Sequence, residues 1–291
     1  MDPVRPGAQK RRRGFFSRRG AGLLCAWALP LLASCRLDVM GTLFSTDLDE
    51  RLRDKNVFNF LSTEDRGLVL DQSYSFIVLS DTHITPETSN GFENIFGIIT
   101  CTDKFIVLAG DITDNGNAEA LQKFIDISRT FPIPCYPVLG NHDIYFGNWQ
   151  TWRDLIGSSC YAIGGVGTST ELIVLDSAGA FFGGPQLDWL ALQLKNAPPN
   201  VFVFTHNSLF LNPGLDWEQS TDWTDTRERA KFLHILGRSC RGVFMGHLHK
   251  RVEQRINTVS YVAIEDYKSH RAYCRVHVSP QGISYEFNNA P

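Results

Sequence analysis

The chain has 291 residues, 43% of them hydrophobic and 20% charged, with a formal net charge of −3. That profile fits a globular protein with one sizeable core and excludes a fibrous or low-complexity chain. The charge is uneven: residues 1–34 hold seven basic side chains and one acid, leaving 21 basic against 30 acidic residues in the rest. An acidic body argues against non-specific nucleic-acid binding, which needs a basic surface.

In chain order, the first element reads as an export signal over 1–34. Basic residues from Arg5 to Arg19 precede an uncharged stretch, Gly20–Ser34, and the stretch ends in small residues. It falls short of the roughly 20 apolar residues that cross a bilayer. Its end, Leu32-Ala33-Ser34-Cys35, resembles the lipobox of bacterial lipoproteins. The resemblance implies cleavage before Cys35 and a lipid on its thiol, so an exported chain anchored to a bacterial membrane on the periplasmic or surface side. An uncut signal anchor is the alternative. Arg12-Arg13-Gly14-Phe15-Phe16 also resembles a twin-arginine export motif. Setting Cys25 and Cys35 aside leaves five cysteines with no CxxC spacing, which excludes a disulfide scaffold and a thiolate zinc site. Buried free thiols are expected.

Residues 35–70 read as a tether with a short helix. Leu48–Leu61 is expected to wind as an amphipathic helix with Leu52, Phe58 and Leu61 on one side. From 71 to 291 one domain is expected. Apolar runs of strand length fall at 74–80, 104–110, 134–140, 171–177, 201–206 and 242–247. Helical patterns fall at 118–129, 149–156, 186–196 and 227–237. Such alternation predicts an α/β core with strands buried on both faces. After Arg251 the chain reads as strand after strand, at 258–264, 272–278 and 283–287, with a turn at Pro280-Gln281-Gly282. This predicts an added antiparallel portion and a layered sandwich.

Polar residues collect where the apolar strands end: Asp81 and His83; Asp111 and Asp114; Asn141, His142 and Asp143; His206; His247 and His249. In α/β sheets, sites form beyond the carboxyl ends of strands. In extended chain, residues i and i+2 point the same way, so Asp81 with His83, and His247 with His249, can face one point. Gly110, Gly140 and Gly246 would let the backbone turn sharply beside them. Each piece has a plainer reading: a helix cap, a turn, a packed histidine. All five together predict one shared metal centre. No role is expected for His234, His270 or His277.

The ordered set DxH, GDxxD, GNHD, a lone His and GHxH, spanning Phe76 to His249, resembles the calcineurin-like metallophosphoesterase superfamily. GDITDNG and GNHD look closest to its bacterial phosphodiesterase-like branch. The resemblance implies a four-layer α/β/β/α sandwich and two divalent metal ions, drawn from Mn, Fe, Zn or Co. Asp81, His83 and His249 would hold one, Asn141, His206 and His247 the other, and Asp111 would bridge both. His142 would contact the phosphate and assist the leaving group, and Asp114 would orient His142. Two cations neutralise a phosphate ester's repulsive charge, and a water bridging them loses a proton near neutral pH. The implied function is hydrolysis of small phosphoric esters, diesters favoured. A phosphomonoesterase or nucleotidase is the alternative, and less so a catalytically silent metal-binding surface lipoprotein. The sequence departs from purple acid phosphatases, with Asp114 in place of Tyr, and from protein phosphatases, with Asn115 and Asp143 in place of Arg and Glu. Asn207 follows His206 where many relatives place proline. Residues 207–226 read as a lid over the site or as a solvated loop.

Overall fold

The structure, a computed structural model, describes residues 47–53, 58–62, 68, 70–164, 169–209, 226–237 and 239–291. The export segment, Cys35, and residues 210–225 of the stretch read as a lid or a solvated loop lie outside the described residues. The strands are β1 (Asn59–Ser62), β2 (Tyr74–Leu79), β3 (Asp103–Leu108), β4 (Cys135–Pro137), β5 (Tyr161–Gly164), β6 (Thr170–Val174), β7 (Asn200–Phe204), β8 (Gly242–Met245), β9 (Val252–Ile256), β10 (Val259–Ala263), β11 (Ala272–Ser279) and β12 (Gly282–Asn289). The α-helices are α1 (Leu48–Arg51), α2 (Ala118–Ser128), α3 (Trp149–Leu155), α4 (Gly184–Lys195), α5 (Thr226–Leu236) and α6 (Tyr267–His270). None of the described helices is long and apolar enough to cross a membrane.

Two mixed sheets carry the architecture. One has five strands in the order β12-β11-β2-β3-β4, the other seven in the order β1-β5-β6-β7-β8-β10-β9. Each central strand is buried on both faces, and its alternate side chains enter different apolar layers. Phe76 and Val78 of β2 meet Phe202, Phe204 and Phe244 of the other sheet, filling the space between the sheets. Phe76 stacks on Phe105 at 4.6 Å and meets Phe202 edge-on at 5.0 Å. Ile77, Leu79, Ile106 and Leu108 face the opposite way, onto Leu121 and Phe124 of α2 and Trp152 of α3. Val201, Val203 and Val243 pack against Leu187 and Leu190 of α4 and Phe232 of α5. These three apolar layers between four structural layers make the α/β/β/α sandwich.

The expected helix over 48–61 is corrected. Among the described residues of that stretch the helix is α1 alone, with Asp47 as its cap accepting from Asp49 N at 2.9 Å. The chain then turns at Phe58, whose φ is 59°, and β1 pairs in parallel with β5. Phe58 meets Trp189 at 5.3 Å. Pairing at a sheet edge overrides the helical periodicity there, as tertiary context commonly does. α1 is firmly docked: Arg51 is fully buried and forks onto Asp176, Nε to Oδ2 at 2.7 Å and Nη2 to Oδ1 at 2.9 Å. Strands β5 and β9 were also not expected. β5 is short, and β9 alternates buried and exposed charged positions at a sheet edge. Of the free cysteines, Cys160, Cys240 and Cys274 are buried as expected, whereas Cys101 is exposed and Cys135 half-buried.

Removing one partner from a buried ion pair strands the other charge. Arg51→Met is therefore expected to cost about 3–5 kcal/mol in denaturant unfolding, and Arg51→Met/Asp176→Leu to recover most of that loss. Glu171 on β6 gives a pH signature. It is 6% exposed, and burial pushes its carboxyl up from 4.5 to about 7. The folded state thus binds this proton more tightly than the unfolded state. The stability it contributes is present below pH 4.5 and is lost as pH rises through about 7. Glu171→Gln should match the parent near pH 4 and exceed it at pH 8 by on the order of 1 kcal/mol, read from melting curves across pH.

Candidate metal centre

Five loops leave the carboxyl ends of β2, β3 and β4 in one sheet and β7 and β8 in the other, and they meet at one rim. Backbone bonds stitch them together: Asp81 N to Gly110 O at 3.0 Å, His83 N to Asp111 O at 3.0 Å, and Gly246 N to His206 O at 2.9 Å. The expected i, i+2 convergence occurs, though not through extended chain. Asp81 (φ 55°), His83 (45°), Asp111 (48°), His247 (72°) and His249 (51°) all adopt left-handed backbone. Such conformations cost non-glycine residues about 1–3 kcal/mol each and persist where the surroundings impose them.

The glycines act differently from the expectation too. Gly110 has φ 91° and fits the sharp-turn reading. Gly140 and Gly246 have ordinary φ but lie against other loops: an added Cβ at Gly140 would strike the Asp111 backbone, and one at Gly246 the Ser80 hydroxyl and Asp81 carboxylate. They are glycines because the loops touch there.

The polar atoms form three overlapping groups, Asp81/His83/His249, His83/Asp111/His142 and Asp111/His206/His247, each with donor atoms within 4.8 Å of one another. In the first, His249 Nε2 lies 3.2 Å from Asp81 Oδ1. Asp111 joins the groups: Oδ1 is 3.3 Å from His206 Nε2, and Oδ2 is 3.9 Å from both His83 Nε2 and His142 Nε2. Asn141 Oδ1 sits 3.1 Å from His206 Nε2 and 3.1 Å from His247 Nδ1. Every residue of the expected ligand set is thus in one place. Asp81 Oδ1 and both ring nitrogens of His83 are buried without a hydrogen-bond partner. Unpaired buried polar atoms are costly, and this carboxylate, amide and imidazole set suits a divalent transition metal.

Neighbouring carbonyls set the imidazole tautomers. A carbonyl can only accept, so His206 Nδ1 donates to Ala109 O at 2.9 Å and His142 Nδ1 donates to Asp114 O at 2.8 Å. Both rings then turn Nε2 toward Asp111. Burial by itself would lower the pKa of His206, but the Asp111 carboxylate outweighs it and raises the ring to about 9. Asp114 reaches His142 through its main-chain carbonyl rather than its carboxylate. The carboxylate instead lies 3.3 Å from His83 Nδ1 and 3.3 Å from Lys268 Nζ. The loop passes His142 with its backbone, so the side chain projects to the other side.

Three supporting residues carry no prior role. Asp143, buried and pushed up to about 7 by burial and then by Asp111, accepts from Thr113 N at 2.8 Å and Gly140 N at 3.0 Å, clamping two loops. Ser177 Oγ accepts from His206 N at 3.1 Å and Asn207 N at 2.9 Å. Tyr145 OH accepts from Asn141 Nδ2 at 2.9 Å. Asp143 was visible in the GNHD motif; Ser177 and Tyr145 carry no signal beyond following a strand or a motif. His270 pairs with Asp266 at 2.8 Å and His277 lies 3.7 Å from Glu286, away from the metal-type groups.

Among solved structures, GAP50, the anchor in the inner membrane complex of Plasmodium, aligns with a TM-score of 0.58 at 12% identity, covering 76% of this chain and 85% of that one. A predicted phosphoesterase from Streptococcus pneumoniae aligns at 0.42 with 14% identity over 76% and 92%. The phosphopantetheinyl hydrolase PptH of Mycobacterium tuberculosis aligns at 0.43 with 12% identity over 68% and 91%. No curated protein matches by sequence. The likeness to GAP50 concerns the fold alone. The family description "calcineurin-like phosphoesterase" matches residues 74–251, more than half of the chain, the span that carries all five strand-end loops. The chain belongs to the calcineurin-like phosphoesterase family.

Proposed function

We propose that the chain is a binuclear-metal-dependent hydrolase of small phosphoric esters, with diesters the favoured class. The observation that carries this reading is the placement of Asp111. Its two oxygens separate two sets of nitrogen and oxygen donors, with His206 on one side and His83 and His142 on the other. Asp81, His83 and His249 would hold one cation, and Asn141, His206 and His247 the other, with Asp111 shared. Two divalent ions in such a site supply neutralisation of the phosphate charge and acidification of bound water.

The protein's own share is positioning and proton transfer. His142 is one-fifth exposed, so it borders the open side of the centre. With Nδ1 committed to the Asp114 carbonyl, a proton at Nε2 exists only on the imidazolium, and that proton suits a departing alkoxide. The Tyr145 ring, 4.5 Å from the His142 ring, limits its rotation. The preference for diesters rests on the likeness of GDITDNG and GNHD to the phosphodiesterase-like branch. The basic, apolar, Cys35 order of the N-terminus supports export and a lipid anchor on a bacterial membrane.

The test is turnover with defined Mn, Fe, Zn or Co loading on p-nitrophenyl phosphate and bis-p-nitrophenyl phosphate side by side. Diester turnover exceeding monoester turnover is expected, and no hydrolysis by metal-loaded protein overturns the reading. His142→Ala should lower kcat about 10²–10⁴-fold while metal content stays near the parent's; Asp111→Asn should lower both. Labelled palmitate should enter the parent chain in bacteria and not Cys35→Ser.

A further inference from the structure

We infer that Lys268 is a positioning residue of the metal centre, holding the Asp114 carboxylate against His83 and so fixing how that imidazole faces its cation. The inference rests on the metal-centre reading above. Lys268 lies in α6, beyond the 74–251 span that carries the family's motifs.

Three contacts place it. Its backbone N–H donates to Asp81 O at 3.1 Å, beside Tyr267 N to Ser80 O at 2.9 Å, so the first turn of α6 sits on the loop that carries Asp81 and His83. Its Nζ lies 3.3 Å from Asp114 Oδ1. That same oxygen lies 3.3 Å from His83 Nδ1. Lys268 thus bridges the DxH loop through its main chain and the GDxxD loop through its ammonium.

α6 is itself held in place. Asp266 caps it, accepting from Ser269 N at 2.8 Å and contacting His270 Nδ1 at 2.8 Å. The buried Tyr267 donates its hydroxyl proton to Gly91 O at 2.8 Å. The adjacent Asn90 amide donates to Thr82 O at 2.9 Å and His83 O at 2.8 Å. The ammonium therefore works from a fixed base on both flanks of His83.

The Lys268 and Asp114 side chains are each 45% exposed. A pair that wet contributes little to stability, so its effect is directional. Without the ammonium, the half-exposed Asp114 carboxylate is free to turn to water, and His83 Nδ1 loses the negative charge that lies 3.3 Å from it. Losing such an outer partner weakens metal binding about 10–100-fold. Lys268 acts one step further out, so a loss of about three- to tenfold is expected.

The test uses the full chain and Mn²⁺ alone, titrated by calorimetry, with melting curves of the metal-free variants as the fold control. Lys268→Met should weaken one Mn²⁺ site about three- to tenfold and leave the metal-free melting temperature unchanged. Lys268→Arg, which keeps the charge and the donor, should stay within about twofold of the parent. Asp114→Asn should also weaken that site, and adding Lys268→Met to it should cause no further loss, because the two act through one contact. Parent-like Mn²⁺ affinity in Lys268→Met overturns the inference, as does an additive loss in the double variant. Where the parent chain takes up no Mn²⁺ the same titrations are run with Zn²⁺, Co²⁺ or Fe²⁺, and a parent chain that takes up none of the four overturns the metal-centre reading itself, and this inference with it.

Discussion

A buried carboxylate ringed by imidazoles is the constraint from which the rest of the site follows. Asp111 is 2% exposed. Burial alone would raise its pKa, yet His206, His142 and His83 hold it well below the ordinary carboxylate range. An anion in that setting needs compensating positive charge. Divalent cations seated among the surrounding rings would supply it.

Bringing the compensating groups to one point requires two sheets. Asp81, Asp111, Asn141 and His142 come from the five-stranded sheet, and His206, His247 and His249 from the seven-stranded one. Neither sheet alone presents the whole set. The aromatic layer of Phe76, Phe105, Phe202, Phe204 and Phe244 between the sheets fixes their separation. The same packing, with the loop contacts of Asp143 and Ser177, offsets the strain of the five metal-type residues that adopt left-handed backbone, Asp81, His83, Asp111, His247 and His249. Strained backbone concentrated on metal-type residues marks a pre-organised site rather than a surface that gathers on ligand binding.

Much of this was legible in the sequence. Central strands buried on both faces read as unbroken apolar runs, and polar residues at their ends stand out against them. What stayed hidden has physical reasons. β1, β5 and β9 lie at or near sheet edges, where pairing partners rather than side-chain pattern decide the structure. Left-handed backbone at Asp81 or His249 leaves no mark in residue type, since such strain is imposed by neighbouring loops. That Asp114 meets His142 through its carbonyl stayed hidden because a motif gives spacing but not whether main chain or side chain reaches the target. Lys268 belongs to no motif at all, and only the docking of α6 brings it near His83.

Arg51 ties these layers to the chain's beginning. Its partner, Asp176, is followed directly by Ser177, which receives the backbone N–H groups of His206 and Asn207. A shortened chain beginning at residue 71 would discard that guanidinium and leave a sealed-in negative charge one residue from the serine that seats the main chain of His206.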